Sequence, residues 1–568
     1  MQFKQTVLST IILMFFCADI FAQTTYLPLG DPQEIILNRL DIKLKNDSVL
    51  KFSKLKPFSR EGYATQLAKI YRDENNQLSI SDRKDIFSVL QKNIEWLSAD
   101  MQQEFKSKKP VWKTFYEYPA ELYSSHTKDF DISISPMLNL GITKETDNDQ
   151  RLFTNSRGVT VRGKIANRVG FYVSVIDHQE SAPNYVQEYV SERSAVPGAG
   201  YYKEFKDAGG VDFFDTRGYF TFGVTKYIDV AFGYDKNFIG NGYRSLFLSD
   251  NSAPNTFIKL NTRVGRFNYQ NLFMELTNAY ARGGDRLLGK KFAAMHHLDI
   301  DVAKGLNIGL FEGVIFGRNN HVELGYFNPI IFLRALERDN GSPDNALAGM
   351  DFKANLFKKV QLYGQLLLDE FQLKQLKSNT GWWANKYGIQ LGAKYIDALG
   401  VKNLDLQAEW NRVRPFTYTH YDSTANYTHY NQALAHPLMA NFNEVIGIAR
   451  YRPIPKLLVE GKLIYYMQGR DSVSTVDPSI KYNYGSNIFL PSVTMSGGEY
   501  GHHIGDGLKT NVALASLLLS YELKPNLFID GNLIIRKHKT TTAPIGAKSS
   551  TIFNLGVRYN MSRRFFDF

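Results

Sequence analysis

Thr551-Ile-Phe-Asn-Leu-Gly-Val-Arg-Tyr-Asn-Met561, followed closely by Arg564-Phe-Phe-Asp-Phe568, reads as a β-strand running into a terminal aromatic residue, as an outer-membrane β-barrel commonly ends. Many soluble chains also stop at phenylalanine, so the stretch gains weight only from the opposite end. There Lys4 supplies positive charge, Val7 to Cys17 is almost wholly apolar, and Ile20-Phe21-Ala22 before Gln23 fits a small-residue cleavage site. These are the three parts of a secretory signal. The sequence therefore predicts a cleaved signal peptide over residues 1–22 and residence in the cell outer membrane. Cys17 could instead carry a lipid anchor, but the bulky Phe15-Phe16 pair fits that signal poorly. Cleavage before Gln23 removes the single cysteine, and with it disulfides, cysteine metal sites and a cysteine nucleophile.

A chain of 568 residues can hold several soluble domains, or one large barrel with an appendage. The 33 Tyr and 39 Phe favour the barrel, whose interfaces carry aromatic girdles. After the signal no stretch approaches the roughly 20 apolar residues of a spanning helix, so any crossing must use strands. The net charge of +11 favours an anionic partner, such as an acidic polysaccharide or lipopolysaccharide phosphate. Nucleic acid is not expected behind an export signal in a chain with no helix-turn-helix or zinc-finger pattern.

Residues 23–128 differ in pattern from the rest of the chain. Glu34 to Leu40 and Tyr63 to Tyr71 have helical spacing, and Ser81-Asp82 before Ile86, Phe87, Val89, Leu90, Ile94 and Leu97 predicts a capped amphipathic helix. This is a small periplasmic helical region, able to pack on the barrel mouth, plug it or bind a partner. Over 129–568 the period changes to two. In Leu404-Asp-Leu-Gln-Ala-Glu-Trp410 one face is Asp405, Gln407 and Glu409 and the other Leu404, Leu406, Ala408 and Trp410; Gln361 to Leu366 and Asn526 to Leu533 repeat the pattern. In a membrane barrel the apolar face meets lipid and the polar face lines the lumen. Tight turns near 166–170, 225–227, 263–266, 303–306, 357–359, 399–402, 452–456 and 524–526 alternate with long segments near 178–211, 280–290, 318–344, 373–386, 414–440 and 470–510. The predicted fold is an all-β membrane barrel of about 18 antiparallel strands with a small N-terminal helical region. A β-sandwich or propeller is the competing all-β reading, but no blade-length repeat is present.

Three further segments stand out: Gly233 to Pro254, containing Asp235, Asn237, Gly240, Gly242, Arg244, Asp250 and Asn251; Gly325-Tyr-Phe-Asn-Pro-Ile-Ile-Phe-Leu-Arg334 with Asn328 and Glu337; and Gly341 to Asp351, with Asp344 and Asn345, leading to Tyr363 to Glu370. Together these resemble the Wzi-like capsule-assembly family of outer-membrane barrels. Tyr26-Leu-Pro-Leu-Gly30 is similar to its Bacteroidota branch, which includes the RemB-like proteins of gliding motility. The resemblance implies a non-enzymatic surface protein that helps attach or assemble capsular or extracellular polysaccharide. A gliding or adhesion component and a transport porin are the alternatives.

From the residues themselves, Gly240 and Gly242 allow positive φ or close backbone approach, and Asp250-Asn251 can close turns. Arg334 and Glu337, joined by Asp344 or Asp351, are expected to pair inside the lumen and hold inward loops, so removing Arg334 would raise conductance. A ligand path is the other reading of these charges. Sugars present apolar C–H patches ringed by hydroxyls, which flat aromatic faces and polar groups match. Tyr418, His420 and Tyr421, their echo Tyr427, His429 and Tyr430, and Tyr185, Tyr189, Tyr201 and Tyr202 supply that chemistry, although loop packing or an interfacial girdle would use them equally well. His296-His297 and His502-His503 are adjacent, and strand neighbours point to opposite faces, so neither pair suits one metal. No hydrolase elbow, zinc motif or phosphate loop is present. The sequence implies no catalytic residue, metal or cofactor; the barrel assembly machinery, outer-membrane lipids and other surface or periplasmic proteins are the remaining expected partners.

Overall fold

The computed structural model describes residues 24–568 except 74–77, 128, 167, 206–209, 284, 475, 478 and 542–546. The expected signal peptide lies outside the described residues. Among the described residues, eighteen antiparallel strands close one barrel. They are β1 (Phe130–Glu145), β2 (Leu152–Ile165), β3 (Val169–Ser181), β4 (Gly210–Thr225), β5 (Ile228–Asp235), β6 (Asn255–Val264), β7 (Phe267–Thr277), β8 (Lys290–Ala303), β9 (Leu306–Phe316), β10 (Asn345–Leu356), β11 (Val360–Glu370), β12 (Lys386–Tyr395), β13 (Leu404–Val413), β14 (Phe442–Ile454), β15 (Leu457–Arg470), β16 (Leu508–Lys524), β17 (Leu527–Thr540) and β18 (Ala547–Tyr559). Each pairs with its sequence neighbour, and β18 returns to β1 from Ile552↔Glu145 to Tyr559↔Leu138. Closure leaves no strand edge facing lipid, where an unpaired backbone group costs several kcal/mol. Below the point where β18 stops, Tyr123–His126 pairs with Asp131–Ile134 and extends the seam.

The expected alternation is present throughout. On β13, Gln407, Glu409 and Asn411 are buried in the lumen, while Ala408 on the opposite face is exposed. Phe232, Leu310, Leu391, Leu463, Leu517 and Phe553 are exposed on the outer wall and form part of its apolar belt. Short turns join the strands at one end, and the long segments, including 182–202, 236–254, 317–344 and 414–441, leave from the other.

The helical region sits in the short-turn mouth. Helices α1 (Gln33–Leu44), α2 (Arg60–Arg72), α3 (Ile80–Leu90) and α4 (Ala99–Phe105) share a core that includes Leu37, Leu40, Tyr63, Leu67, Ile86 and Leu90. The α3 cap is Ser79 rather than Ser81: Ser79 and Asp82 form a reciprocal capping box, and the helix ends at Leu90 before Ile94 and Leu97. Ion pairs tie this bundle to lumen-facing strand residues and to the turn after β12. Arg39 meets Asp397 and Asp405, Lys353 holds Asp41 at 2.8 Å, Arg452 holds Asp85 at 2.6 Å, and Arg162 holds Glu95 at 2.7 Å.

Glu61 on α2 is placed where burial and nearby Asp229 push its carboxyl up to about 7, against the opposing pull of Lys164. A carboxyl raised in the folded state stabilises fully below its ordinary range, and that contribution is lost as pH rises through about 7. Hydrogen exchange in α2 should therefore be faster at pH 8 than at pH 5 beyond the intrinsic rate change. Glu61→Gln should abolish that excess, and an equal excess in the variant would refute the assignment.

One expectation fails at the C-terminal end. The last strand stops at Tyr559, and residues 560–568 turn back into the lumen instead of continuing the wall. The reason is chemical: continuing the strand would put Arg563 and Asp567 on the outward face that Phe553, Leu555 and Val557 present to lipid. Inside, Met561 packs on Met137 and Ile176, Arg564 pairs with Glu180 at 2.7 Å, and Phe568 lies 4.7 Å from the Tyr189 ring.

Candidate functional site

The lumen is entered from both ends. From the short-turn side, Leu55 and Lys56 reach up; from the other, segment 236–254 dips down, and the two pair as Leu55↔Ile239 and Lys56↔Phe238. Gly240 allows this meeting: its φ is 147°, its N–H donates to the Lys54 carbonyl at 2.8 Å, and a Cβ would lie 2.8 Å from Gln365. Gly242 is needed for closeness, since its Cβ would fall 2.7 Å from the Glu409 carboxylate. Glu409 on β13 accepts the Tyr243 and Arg244 amides at 2.6 and 3.0 Å and the Tyr363 hydroxyl at 2.8 Å. Arg244 then pairs with Asp567 of the returning tail at 3.0 Å and with Glu444 at 3.3 Å. Asp351 faces the lumen, bonded to Lys54 and to His297 at 2.6 Å rather than to Arg334 or Glu337. Asp235 receives Arg217, Asn237 accepts from Lys259 at 3.1 Å, and Asn345 is buried at the start of β10. At the loop's far end the Asp250 carbonyl accepts from Lys236, and Asn251 donates to Ala433.

The second aromatic loop seals this plug from above. Tyr418 and Tyr427 are each 1% exposed, stack at 5.4 Å, and donate to the Leu246 and Phe247 carbonyls at 2.8 and 2.6 Å. They are core residues, not exposed sugar platforms. His429 is likewise buried, its Nδ1 accepting from the Thr277 amide at 2.9 Å and its Nε2 facing the Pro254 carbonyl at 3.0 Å. Burial lowers its pKa to about 3, so it stays neutral. His420 is buried, and Tyr421 is exposed. Tyr185 and Tyr189 belong to helix α5 (Asn184–Arg193), which packs on Phe568 inside the mouth. His502-His503 lie in a loop rather than a strand, with His502 against Phe416. One cavity left in the lumen has a volume of about 450 Å³, and its walls include Arg39, Arg217, Arg450 and Arg563 facing Asp215 and Glu460.

Three loops do converge on an aromatic patch at the outer end. Tyr280 donates to the Ser194 carbonyl at 2.8 Å, and its amide donates to Asn431 at 3.0 Å. Its ring meets Tyr430 edge-on at 5.7 Å. Arg282 lies over the Tyr202 ring at 4.3 Å, and Tyr201 beside it is 48% exposed. Burial, with Tyr430, Tyr202 and Tyr201 nearby, raises the Tyr280 phenol well above its usual range. Tyr201, Tyr202 and Tyr430 were legible as candidates; Tyr280 and Arg282 were not, because a lone tyrosine and a lone arginine in a polar segment carry no pattern.

Arg334 and Glu337 pair at 2.9 Å, but not in the lumen. Both sit on α6 (Leu333–Asp339) within segment 317–344, which folds down the outside of the barrel. The strand parity proves the side. Leu272, Met295 and Phe311 face the inner core, so Phe273, Ala294, Val314 and Phe316 face outward, and these are the residues that Tyr326 and Leu333 of the segment cover. Arg318 and Tyr326 both bond Asp344 at 2.7 Å, clasping the two ends of the flap. Asn328 is exposed at its turn and accepts the Ile330 amide. Beneath it lies a polar row on the outer wall, Asn271↔His296↔Glu312, with His296 2.9 Å from Glu312 and the Leu333 amide donating to Glu312 at 3.0 Å.

A closed eighteen-stranded wall, filled by its own N-terminal bundle, inward loops and returning tail, defines a plugged outer-membrane β-barrel. A family model described as capsule assembly protein Wzi matches residues 139–451, more than half of the chain, and the protein belongs to that family. Among solved structures it is similar to Wzi of Escherichia coli, described as an outer-membrane carbohydrate-binding β-barrel involved in group 1 capsule assembly, with a TM-score of 0.52 and 14% identity over 96% of this chain and 100% of that one. It is also similar to OprD of Pseudomonas aeruginosa (TM-score 0.40, 12% identity, 75% of this chain and 94% of that one) and OccAB2 of Acinetobacter baumannii (TM-score 0.41, 9% identity, 75% and 98%). At 14% identity the likeness to the Escherichia coli structure speaks for the fold alone. No curated protein matches the chain.

Proposed function

We propose that this protein works at the cell surface without enzymatic chemistry, holding or helping to assemble capsular or extracellular polysaccharide. The observation that carries the reading is a lumen occupied from both mouths, which leaves the outer loops rather than a transmembrane path as the working surface. Family membership supports it, as does the description of the Escherichia coli relative as carbohydrate-binding. The binding surface is centred on the exposed Tyr201, with Tyr430 and Tyr280 beside it and Arg282, which already pairs with Glu204, held over the buried Tyr202 ring; exposed ring faces meet sugar C–H patches, and Arg282 meets carboxylate or phosphate substituents. The gliding or adhesion reading rests on Tyr26 to Gly30 alone.

Replacing Tyr201 and Tyr430 by alanine should lower cell-bound polysaccharide several-fold while heat-modifiable migration on gels stays normal, because neither residue contributes to the strand ladder. Stacking is insensitive to salt, whereas the Arg282 contribution weakens as ionic strength screens it. Unchanged glycan retention in a complete deletion strain would remove the polysaccharide role; lost surface spreading with retained glycan would move the assignment to gliding.

A further inference from the structure

The flap formed by residues 317–344 presents two different faces. Its inner face covers Asn271, His296 and Glu312, polar groups that a lipid-facing wall disfavours, most at mid-membrane depth and less near the interface. Asn271 and His296 are 2% and 3% exposed, although both point away from the lumen. Its outer face is apolar and uncovered: Leu324 is 80%, Ile330 88% and Phe332 58% exposed. On the same strands, below the flap, Phe267, Leu310 and Met350 are exposed on the outer wall. The outer side of the flap is therefore continuous with the lipid-facing belt. Arg334 and Arg338 are exposed on the following helix, and Arg334 retains Glu337 on one side only.

We infer that this flap is a membrane-docking element whose occupant is outer-membrane lipid. Leu324, Ile330 and Phe332 enter the acyl region, and Arg334 and Arg338 meet the phosphate of the headgroups. An aromatic and aliphatic wedge beside cations matches that ligand, since burying apolar side chains in acyl chains contributes what exposure to water withholds, and guanidinium groups bind phosphate in paired hydrogen bonds. The flap thereby does two things at once: it seals the polar row from lipid and supplies a lipid-compatible surface in its place.

The test uses full-length protein with Cys17→Ser, reconstituted in phosphatidylethanolamine–phosphatidylglycerol vesicles. A nitroxide label is placed at Ile330→Cys or, as an aqueous reference, at Val493→Cys, which is 69% exposed in the loop 471–507. Collision of the label with oxygen, which partitions into lipid, is compared with collision with a water-soluble nickel chelate. At 330 oxygen accessibility should exceed nickel accessibility several-fold, with the reverse at 493. Arg334→Glu with Arg338→Glu should shrink the excess at 330 by a few-fold in these anionic vesicles and far less in phosphatidylcholine. A label at 330 with the pattern of 493 would overturn the inference, and so would one shielded from both reagents, which would indicate a protein partner on the flap.

Discussion

Lys353→Ala should turn a silent barrel into one that opens. Lys353 and Asp41 are 0% and 1% exposed, and the ammonium is bonded to Asp41, to the Lys51 carbonyl at 2.6 Å and to Ser53 at 3.0 Å. Removing the cation leaves the Asp41 carboxylate in place with the amides of Asn355 and Gln361 as its remaining strand partners. Losing one member of a buried pair costs about 3–5 kcal/mol, which corresponds to roughly a hundredfold or more in the population of an undocked α1. Protease cleavage within 24–121 should accelerate accordingly, and planar bilayers should record transient openings absent from the unmodified protein. The double variant Asp41→Leu, Lys353→Met, which removes both charges and keeps their volume, should return close to the closed behaviour. Arg334→Ala, lying on the outer wall, should leave conductance unchanged. Steady large conductance in the unmodified protein would show that the bundle does not block the lumen and would favour transport.

How much of the molecule is legible in the chain depends on the range of the physics involved. The barrel was legible because its signal is local: a strand between lipid and lumen writes its two environments residue by residue, as Leu404 to Trp410 do, and tight turns interrupt the pattern where the chain reverses. Loop paths have no such periodicity. Arg334 and Glu337 do pair, three residues apart on one helix, yet nothing in that spacing says which side of the wall the helix occupies. Tyr418 and Tyr427 offer flat rings that suit sugar stacking and loop packing alike, but a filled lumen gives loops a core of their own, and their hydroxyls satisfy carbonyls of another inward segment. Glu409 appears in the alternation as one more lumen-facing acid; its role in holding the Tyr243 and Arg244 amides depends on a segment more than 160 residues away in sequence. The returning tail did leave a trace, since Arg563 and Asp567 break the outward apolar pattern that Phe553, Leu555 and Val557 keep.

That trace leads to an expected separation between assembly and stability. Deleting residues 562–568 should leave insertion intact, because β18 retains both ladders, to β17 from Leu527↔Tyr559 upward and to β1 from Leu138↔Tyr559 upward. The same deletion removes Asp567, which bonds Arg244 and Lys462 at 3.0 Å each and also meets the Tyr243 hydroxyl. Lys462 is 2% exposed and has no other carboxylate within ion-pair distance among the described residues, so it would stand in the lumen without its counter-charge. Breaking such a pair costs about 3–5 kcal/mol, and the loss of Phe568 from Tyr185 and Tyr189 adds to it. The truncated protein should therefore reach the outer membrane in normal amount, still migrate as a heat-modifiable barrel, and lose that compact form several degrees below the intact protein. Asp567→Asn should reproduce most of the loss, because the amide keeps the shape and removes the charge. Tyr559→Ala should show the opposite pattern, with less protein inserted, since Tyr559 is the aromatic residue at the true end of the last strand. A truncation that abolished insertion outright would restore the terminal Phe568 as an assembly signal and count against its role as a strut inside the lumen.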